Sequence, residues 1–517
     1  MLMREPKSTR VPDPDRFFRT DHLRNDLKGR SARSGLLTVS SQGIKFVLAT
    51  LSAVFLARLL SPSDYGIVGM VAIALNFATM FQYLGLAGAT VQWPEINHRQ
   101  VSTLFWLNIC LSAAIAVSMA AASPLIAWFF HEPRLVAVTL GYSLSVFVTG
   151  LWIQHEAILT RQMRFGVLVA VDITALVLGL CVAVSTAWRG AAYWALVYNQ
   201  LTVTLVQAIS YWLICKWRPG LPSRGSGVRP MLLFGGHSTG TSLMSFFSRN
   251  MDNILIGRIW GTEQLGLYSR SYQLLMLPIQ QISSPIGNVA LPALSRLTDS
   301  PEDYRQAYLS IIEKIAMITM PGVTLMCVCS DWIVLFILGP QWEGTGRIFM
   351  FLGLAAFVQP VSRTCYWLLS TQLRTRDMFV WSIISAAIAT ISIVAGLPWG
   401  AVGVAASYAI TELSIQTPFL FWFTCRKGPI PLKELVATLV PSILASVCTL
   451  ILLLLVRPWI TKFDVVFLKV LVASLLSAVS SISVYLLFPR GRIAIQSFKY
   501  LILSMARHRN AETTIME

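Results

Sequence analysis

The sequence has little charge for its length and almost no long polar segment. Of its 517 residues, 13% are charged and 55% are hydrophobic, and the mean hydropathy is +0.64. That composition argues against a set of ordinary soluble domains, in which about 25% of residues are charged. A Walker A motif is also lacking, which argues against ATP hydrolysis by this chain. His155-Glu156 starts like a zinc-protease helix, but the second His is absent. The sequence therefore predicts neither a metal site nor a cofactor.

The cysteines also lack the spacing of a disulfide framework or of a metal site. We interpret all eight as small apolar residues, because they lie in or at the ends of apolar stretches: Cys110, Cys181, Cys215, Cys327, Cys329, Cys365, Cys425 and Cys448. No loop on the predicted outer side is large enough for the acceptor-and-acid site that membrane glycosyltransferases, polymerases and ligases need. The chain is therefore not predicted to be an enzyme.

What the sequence does contain is a series of apolar stretches, each long enough to cross a membrane. About 20 apolar helical residues cross a hydrocarbon core of about 30 Å. The pattern predicts an all-α integral membrane protein with 14 transmembrane helices, at about 36–60, 65–90, 102–130, 136–159, 166–188, 191–215, 231–259, 265–294, 308–337, 348–371, 378–398, 400–424, 434–456 and 464–488.

Positive charge is distributed unevenly between alternate loops. The net charge is +17, and fourteen Lys and Arg residues lie in one set of loops against five in the other. The positive-inside rule then predicts that the basic loops and both termini are cytoplasmic. Anionic lipid head groups account for this basicity, so membrane lipids are predicted partners and nucleic acid is not.

Two internal echoes predict a repeat. Residues 55–66 resemble 255–266, and residues 190–198 resemble 400–408. With the span count, they predict two six-helix units followed by two further helices. Six is even, so the units are parallel repeats, which is typical of transporters with a site between the halves. The predicted arm, first lobe, basic linker, second lobe, helix pair and cytoplasmic tail are 1–33, 34–215, 216–230, 231–425, 426–488 and 489–517.

Polar residues within the apolar stretches are the candidate functional residues, because an ionisable group inside a membrane is costly. Several lie on one face of a predicted helix, which indicates a hydrated cavity. We predict substrate-binding roles for Lys45, Asn76, Arg249, Asp252, Arg270, Gln273 and Arg363, and coupling roles for Asp172 and Glu412. Arg249 and Asp252 have an alternative, since residues three apart on a helix can simply neutralise one another.

Four features resemble a known family. They are the count of six plus six plus two helices, the turn LSPSDYG at 60–66 with its echo GTEQLGLY at 261–268, RNMDN at 249–253, and LPALSR at 291–296. Together these resemble the Wzx-type bacterial polysaccharide-biosynthesis flippases of the multidrug/oligosaccharidyl-lipid/polysaccharide exporter superfamily. The likeness covers about 34–488.

The resemblance implies a flippase in the bacterial inner membrane. Its cargo would be an undecaprenyl-pyrophosphate-linked oligosaccharide, moved from the cytoplasmic to the periplasmic leaflet for exopolysaccharide, capsule or O-antigen synthesis. Polymerase and glycosyltransferase components of the same pathway are the implied protein partners. The cations would hold the pyrophosphate, because opposite charges attract strongly in a low dielectric. The alternatives are a lipid II-type flippase, a cation-coupled multidrug exporter of the same superfamily and a multispan glycosyltransferase.

Overall fold

The computed structural model describes residues 18, 27–82, 87–93, 95–223, 227, 229–488 and 491–492; for 27–41, 229–245 and 247–249 it describes the backbone only. Helices make up almost all of these residues, and no strand occurs among them. The helices are α1 (Leu27–Leu59), α2 (Pro62–Gln82), α3 (Gly88–Gln92), α4 (His98–Ala121), α5 (Ser123–Phe130), α6 (Leu135–Arg161), α7 (Phe165–Trp188), α8 (Trp194–Ile214), α9 (Arg229–Ser295), α10 (Pro301–Val328), α11 (Ser330–Ile337), α12 (Thr345–Ala356), α13 (Gln359–Thr371), α14 (Thr375–Gly396), α15 (Gly400–Thr411), α16 (Thr417–Cys425), α17 (Leu432–Ile460) and α18 (Val466–Leu487).

Within the described part of the chain, ten helical segments are long and apolar enough to cross a membrane. This confirms the predicted all-α, multi-pass membrane class. One of the ten segments, Thr375–Cys425, covers 51 residues and contains two of the predicted spans. The count of fourteen spans therefore stays a prediction, as does the cytoplasmic placement of the termini.

Helix α9 turns back on itself at Gly261. The backbone there has φ 78° and ψ −167°, which glycine adopts readily and other residues do not. The Tyr268 hydroxyl donates a hydrogen bond of 2.9 Å to Oδ2 of Asp252. In one straight helix those residues would lie about 24 Å apart along the axis. The contact therefore requires two helical arms that meet at Gly261, where the sequence predicts the boundary between two spans.

The chain divides into two compact units, Met1–Asn250 and Met251–Glu517. The division falls within α9, whereas the sequence places the lobe boundary at the linker 216–230. The lobe bounds predicted from the sequence stay a prediction.

Each unit contains the same two unusual turns. In the first unit, Met163 has φ 55° between α6 and α7; in the second, Leu373 has φ 53° between α13 and α14. Each of these two residues stands between a Gln and an Arg. Gly190 and Gly400, at the starts of the second sequence echo, have φ 83° and 71°. The turns are thus alike in sequence and in backbone geometry.

Small residues let helices of the first unit approach closely, as is usual where no hydrophobic force drives helices together in lipid. A buried row of small side chains along α7 consists of Ala175, Gly179, Ala183 and Ala187. A Cβ added to Gly179 would lie 2.5 Å from Oδ1 of Asn199 on α8. Likewise, a Cβ added to Gly150 on α6 would lie 2.5 Å from Cβ of Ser112 on α4.

We expect Gly150→Ala to destabilise the protein by about 1–3 kcal/mol, the usual cost of overpacking a filled interior. The Ser112 Cβ is tied to its backbone and cannot swing away. Thermal unfolding in detergent measures the effect. Gly166→Ala on α7 is the control, because nothing lies within 4 Å of its added Cβ. An equal melting temperature for both variants would show that α4 and α6 are not in close contact.

Candidate functional site

The first unit holds a charged cluster built from separate helices. Lys45 of α1 donates to Oδ2 of Asp172 of α7 at 2.6 Å. The side chains are 30% and 26% exposed, so the pair is half-buried. Gln207 of α8 donates from Nε2 to the other oxygen, Oδ1, at 3.2 Å. Asp172 therefore has a polar partner on each carboxylate oxygen.

Close packing of α7 against α8 places Asp172 beside Gln207. The row of small residues along α7 begins at Ala175, three positions and nearly one turn after Asp172. This face lies against α8, where Gly179 meets Asn199 and Val203. The same approach that buries the small residues brings the Asp172 carboxylate within reach of the Gln207 amide.

A second acid lies near this pair. Glu156 of α6 is within electrostatic range of both Asp172 and Lys45. The sequence analysis selected neither Glu156 nor Gln207 as a site residue. The only signal for Gln207 was a polar side chain in a largely apolar helix, which also contains Asn199 and Gln200. We define Lys45, Glu156, Asp172 and Gln207 as the charge cluster of the first unit.

Asp252 of the second unit accepts hydrogen bonds from both arms of α9. Besides the Tyr268 hydroxyl, the backbone N–H of Asn253 donates to Oδ1 of Asp252 at 2.8 Å. The predicted alternative for Asp252 was neutralisation by Arg249. The Arg249 side chain lies outside the described residues, so both predictions for it remain predictions.

Glu412 occupies an irregular helical turn deep in the second unit. It begins the π-helical segment Glu412–Gln416 between α15 and α16, a form found frequently at functional sites. The side chain is 4% exposed. The Thr417 hydroxyl donates to Oε1 at 3.3 Å, whereas Oε2 has no hydrogen-bond partner among the described residues. A buried carboxyl oxygen without a donor is expensive to keep, and this marks Glu412 as a functional candidate.

The remaining predicted residues lie on α2, α9 and α13. Arg270 donates a hydrogen bond to Gln273 one turn later in α9. Arg363 of α13 is half-buried, one turn after Gln359, whose Oε1 is buried without a partner among the described residues. Asn76 of α2 is exposed. The structure therefore joins Lys45 to Asp172 in the first unit and Arg270 to Gln273 in the second.

Chemically, the charge cluster can bind an anion. An ammonium group held by one carboxylate can instead pair with a phosphate, which leaves that carboxylate without its cation. No group of three or more His, Cys, Asp or Glu residues that could hold a metal ion occurs in the described part of the chain.

Comparison with known sequences gives a family match and relatives from bacteria. The model of the family described as "Polysaccharide biosynthesis protein" matches residues 55–347. The teichuronic acid biosynthesis protein TuaB of Bacillus subtilis is 25% identical over 59% of this chain, which spans 64% of TuaB. The lipopolysaccharide biosynthesis protein WzxC of Escherichia coli is 24% identical over 74% of this chain and 77% of its own length.

Two solved structures share the fold. A structure of the lipid II flippase MurJ in an inward closed conformation aligns with a TM-score of 0.71 and 15% identity, covering 89% of this chain and all of MurJ. An inward-facing MATE family multidrug resistance transporter of the MOP superfamily aligns with a TM-score of 0.57 and 16% identity, over 76% of this chain and 95% of its own. At such identities the likeness concerns the fold alone.

Proposed function

The chain belongs to the polysaccharide biosynthesis protein family, and from that premise we propose that it flips undecaprenyl-pyrophosphate-linked oligosaccharide repeat units across the inner membrane. The cargo enters from the cytoplasmic leaflet and leaves in the periplasmic leaflet. The proposal includes alternating access, in which a transporter opens one binding site to each side in turn. It also includes two six-helix repeats, which the matched turns at Met163 and Leu373 support.

The observation that carries the proposal is the half-buried Lys45–Asp172 pair on membrane-length helices. A pyrophosphate brings more negative charge than one carboxylate, so it competes well with Asp172 for the Lys45 ammonium group. Gln207 then keeps Asp172 in place as the ammonium group shifts to the cargo. Arg270, Arg363 and Arg249 are further anion ligands in the proposal, with Asn76, Asp252 and Gln273 for sugar hydroxyls.

Coupling to an ion gradient is assigned to two acids, the half-buried Asp172 and the buried Glu412. Once the cargo takes Lys45, Asp172 loses its cation and can bind another. Glu412 has a carboxyl oxygen without a donor, which a proton or another small cation would satisfy. Binding and release of a cation at these groups would give the cycle its direction.

The test is the fate of the lipid-linked oligosaccharide in a strain that lacks this protein. We expect the oligosaccharide to accumulate on the cytoplasmic leaflet with its glycan complete, and the exported polymer to disappear. A glycan that stops one sugar short would instead indicate a glycosyltransferase. Loss of drug resistance with normal polymer would indicate a multidrug exporter, and loss of cell-wall precursor flipping would indicate a lipid II-type flippase.

A further inference from the structure

The segment that follows α8 is fixed along α4. We call residues 215–223 the strap. The Gly220 backbone N–H donates to the Ser102 hydroxyl at 3.0 Å, and the Ser223 N–H donates to the Thr103 hydroxyl at 3.2 Å. In the opposite direction, the indole N–H of Trp106 donates to the Gly220 carbonyl at 2.9 Å. The strap and α4 thus each supply both donors and acceptors to the hydrogen bonds that join them.

Trp217 anchors the strap in an aromatic cluster. It is 1% exposed, and its indole N–H donates to Nδ1 of His98 at 3.1 Å. The ring centroid of Trp217 lies 6.0 Å from that of Phe105 on α4 and 5.3 Å from that of His155 on α6. We call this group, with Trp152 of the same core, the aromatic dock.

A residue of the N-terminal arm occupies the same dock. Phe18, which the sequence places in a polar arm, is 4% exposed and belongs to the core that contains Trp217. The two rings meet edge to face, with their centroids 6.5 Å apart. Such aromatic pairs stabilise the folded state by more than the burial of their apolar surface alone.

Arg161, at the end of α6, donates a hydrogen bond to the backbone beside this ring. Its Nε donates to the carbonyl of Phe18 at 3.5 Å. Its Nη1 donates to the carbonyls of Trp93 at 2.5 Å and Thr90 at 3.2 Å. One guanidinium therefore fixes the arm to the segment around α3, while Phe18 fixes it to the strap.

We propose that Phe18 acts as a clasp: inserted into the aromatic dock, it holds the strap onto α4. The strap leads directly into α9, with only residues 224–228 between them. While Phe18 holds the strap, the position at which α9 starts is fixed. When Phe18 leaves the dock, that position can change. The occupant of the dock is this chain's own arm. Its chemistry is suitable, because an apolar ring fills the dock and the backbone carbonyl faces the Arg161 guanidinium.

The test is limited trypsin digestion of the full-length protein in nanodiscs, comparing wild type with Phe18→Ala. Trypsin can cut the Arg19–Thr20 bond in the arm and the Lys216–Trp217 bond in the strap. Cleavage of a transiently opened segment follows the population of its open form. Removing the ring should therefore raise cleavage at both bonds by about tenfold or more. The second bond is decisive, since it lies nearly two hundred residues from the substitution.

Controls separate the clasp from general unfolding. Cleavage at Lys427–Gly428 in the second unit should not change. Phe18→Leu should give an intermediate rate, and it serves as the test if the Ala variant does not fold. Faster cleavage of the arm with an unchanged rate at Lys216–Trp217 would overturn the clasp. So would an equal increase in cleavage at Lys216–Trp217 and at Lys427–Gly428, which would indicate general unfolding.

Discussion

Lys45→Ala is expected to reduce polymer export by at least about tenfold, with a normal amount of protein in the membrane. The reason is the loss of a charged ligand for the pyrophosphate, since a hydrogen bond to a charged group contributes about 1.5–3 kcal/mol. Lys45→Arg should retain part of the export, because the cation stays in place. Export is measured as surface polymer per unit of membrane-inserted protein.

The Lys45→Ala/Asp172→Ala double variant distinguishes a role of Lys45 in binding the cargo from a purely structural role of the ion pair. If the two residues only neutralise one another, removing both leaves no unpaired charge, and export should be nearly normal. If Lys45 binds the cargo, the double variant should remain as defective as Lys45→Ala. Asp331→Asn is a matched control, because Asp331 forms a similar pair with Arg457 at 2.7 Å but is 50% exposed. Full export by the double variant would remove Lys45 from the proposed site.

Glu412→Gln is expected to reduce export by about tenfold or more, while leaving the fold intact. Glutamine has nearly the same shape and can still accept from Thr417, but it cannot gain or lose a proton. Glu412→Asp keeps the carboxyl group and should retain more export than Glu412→Gln. The measurement is polymer export together with the melting temperature of each purified variant.

A structural role for Glu412 makes the opposite prediction. A carboxyl group that only fills the π-helical turn should be replaced well by glutamine, and the shorter Asp should be the more harmful change. Normal export by Glu412→Gln would therefore contradict the coupling role. Thr417→Val gives a second check, because it removes the donor to Oε1 and leaves the carboxyl in place.

The membrane class was predictable from the sequence, because stretches of about 20 apolar residues identify membrane-spanning helices. It also located the break at Gly261, since the echo of residues 60–66 falls there. The family prediction is confirmed by the match over residues 55–347. These features depend on local sequence and need no knowledge of how the helices are rotated.

The geometry of the candidate site was less predictable. Lys45 and Asp172 were each selected, but with separate roles, because the period of a helix gives no information about its rotation against another helix. Their pairing depends on how α1 and α7 pack. The π-helical turn at Glu412 and the docking of Phe18 are also products of packing. The polar composition of the N-terminal arm gave no sign that one of its rings is buried.

The most direct measurement is transport by the purified protein in liposomes that contain a polyprenyl-pyrophosphate-linked oligosaccharide. The glycan facing outward is counted with an enzyme that cannot cross the bilayer. The account predicts that wild-type protein moves the glycan across the bilayer, that Lys45→Ala moves it at least about tenfold more slowly, and that glycan on a lipid without the pyrophosphate is moved poorly. Equal rates for wild type and Lys45→Ala, or equal rates with and without the pyrophosphate, would contradict it.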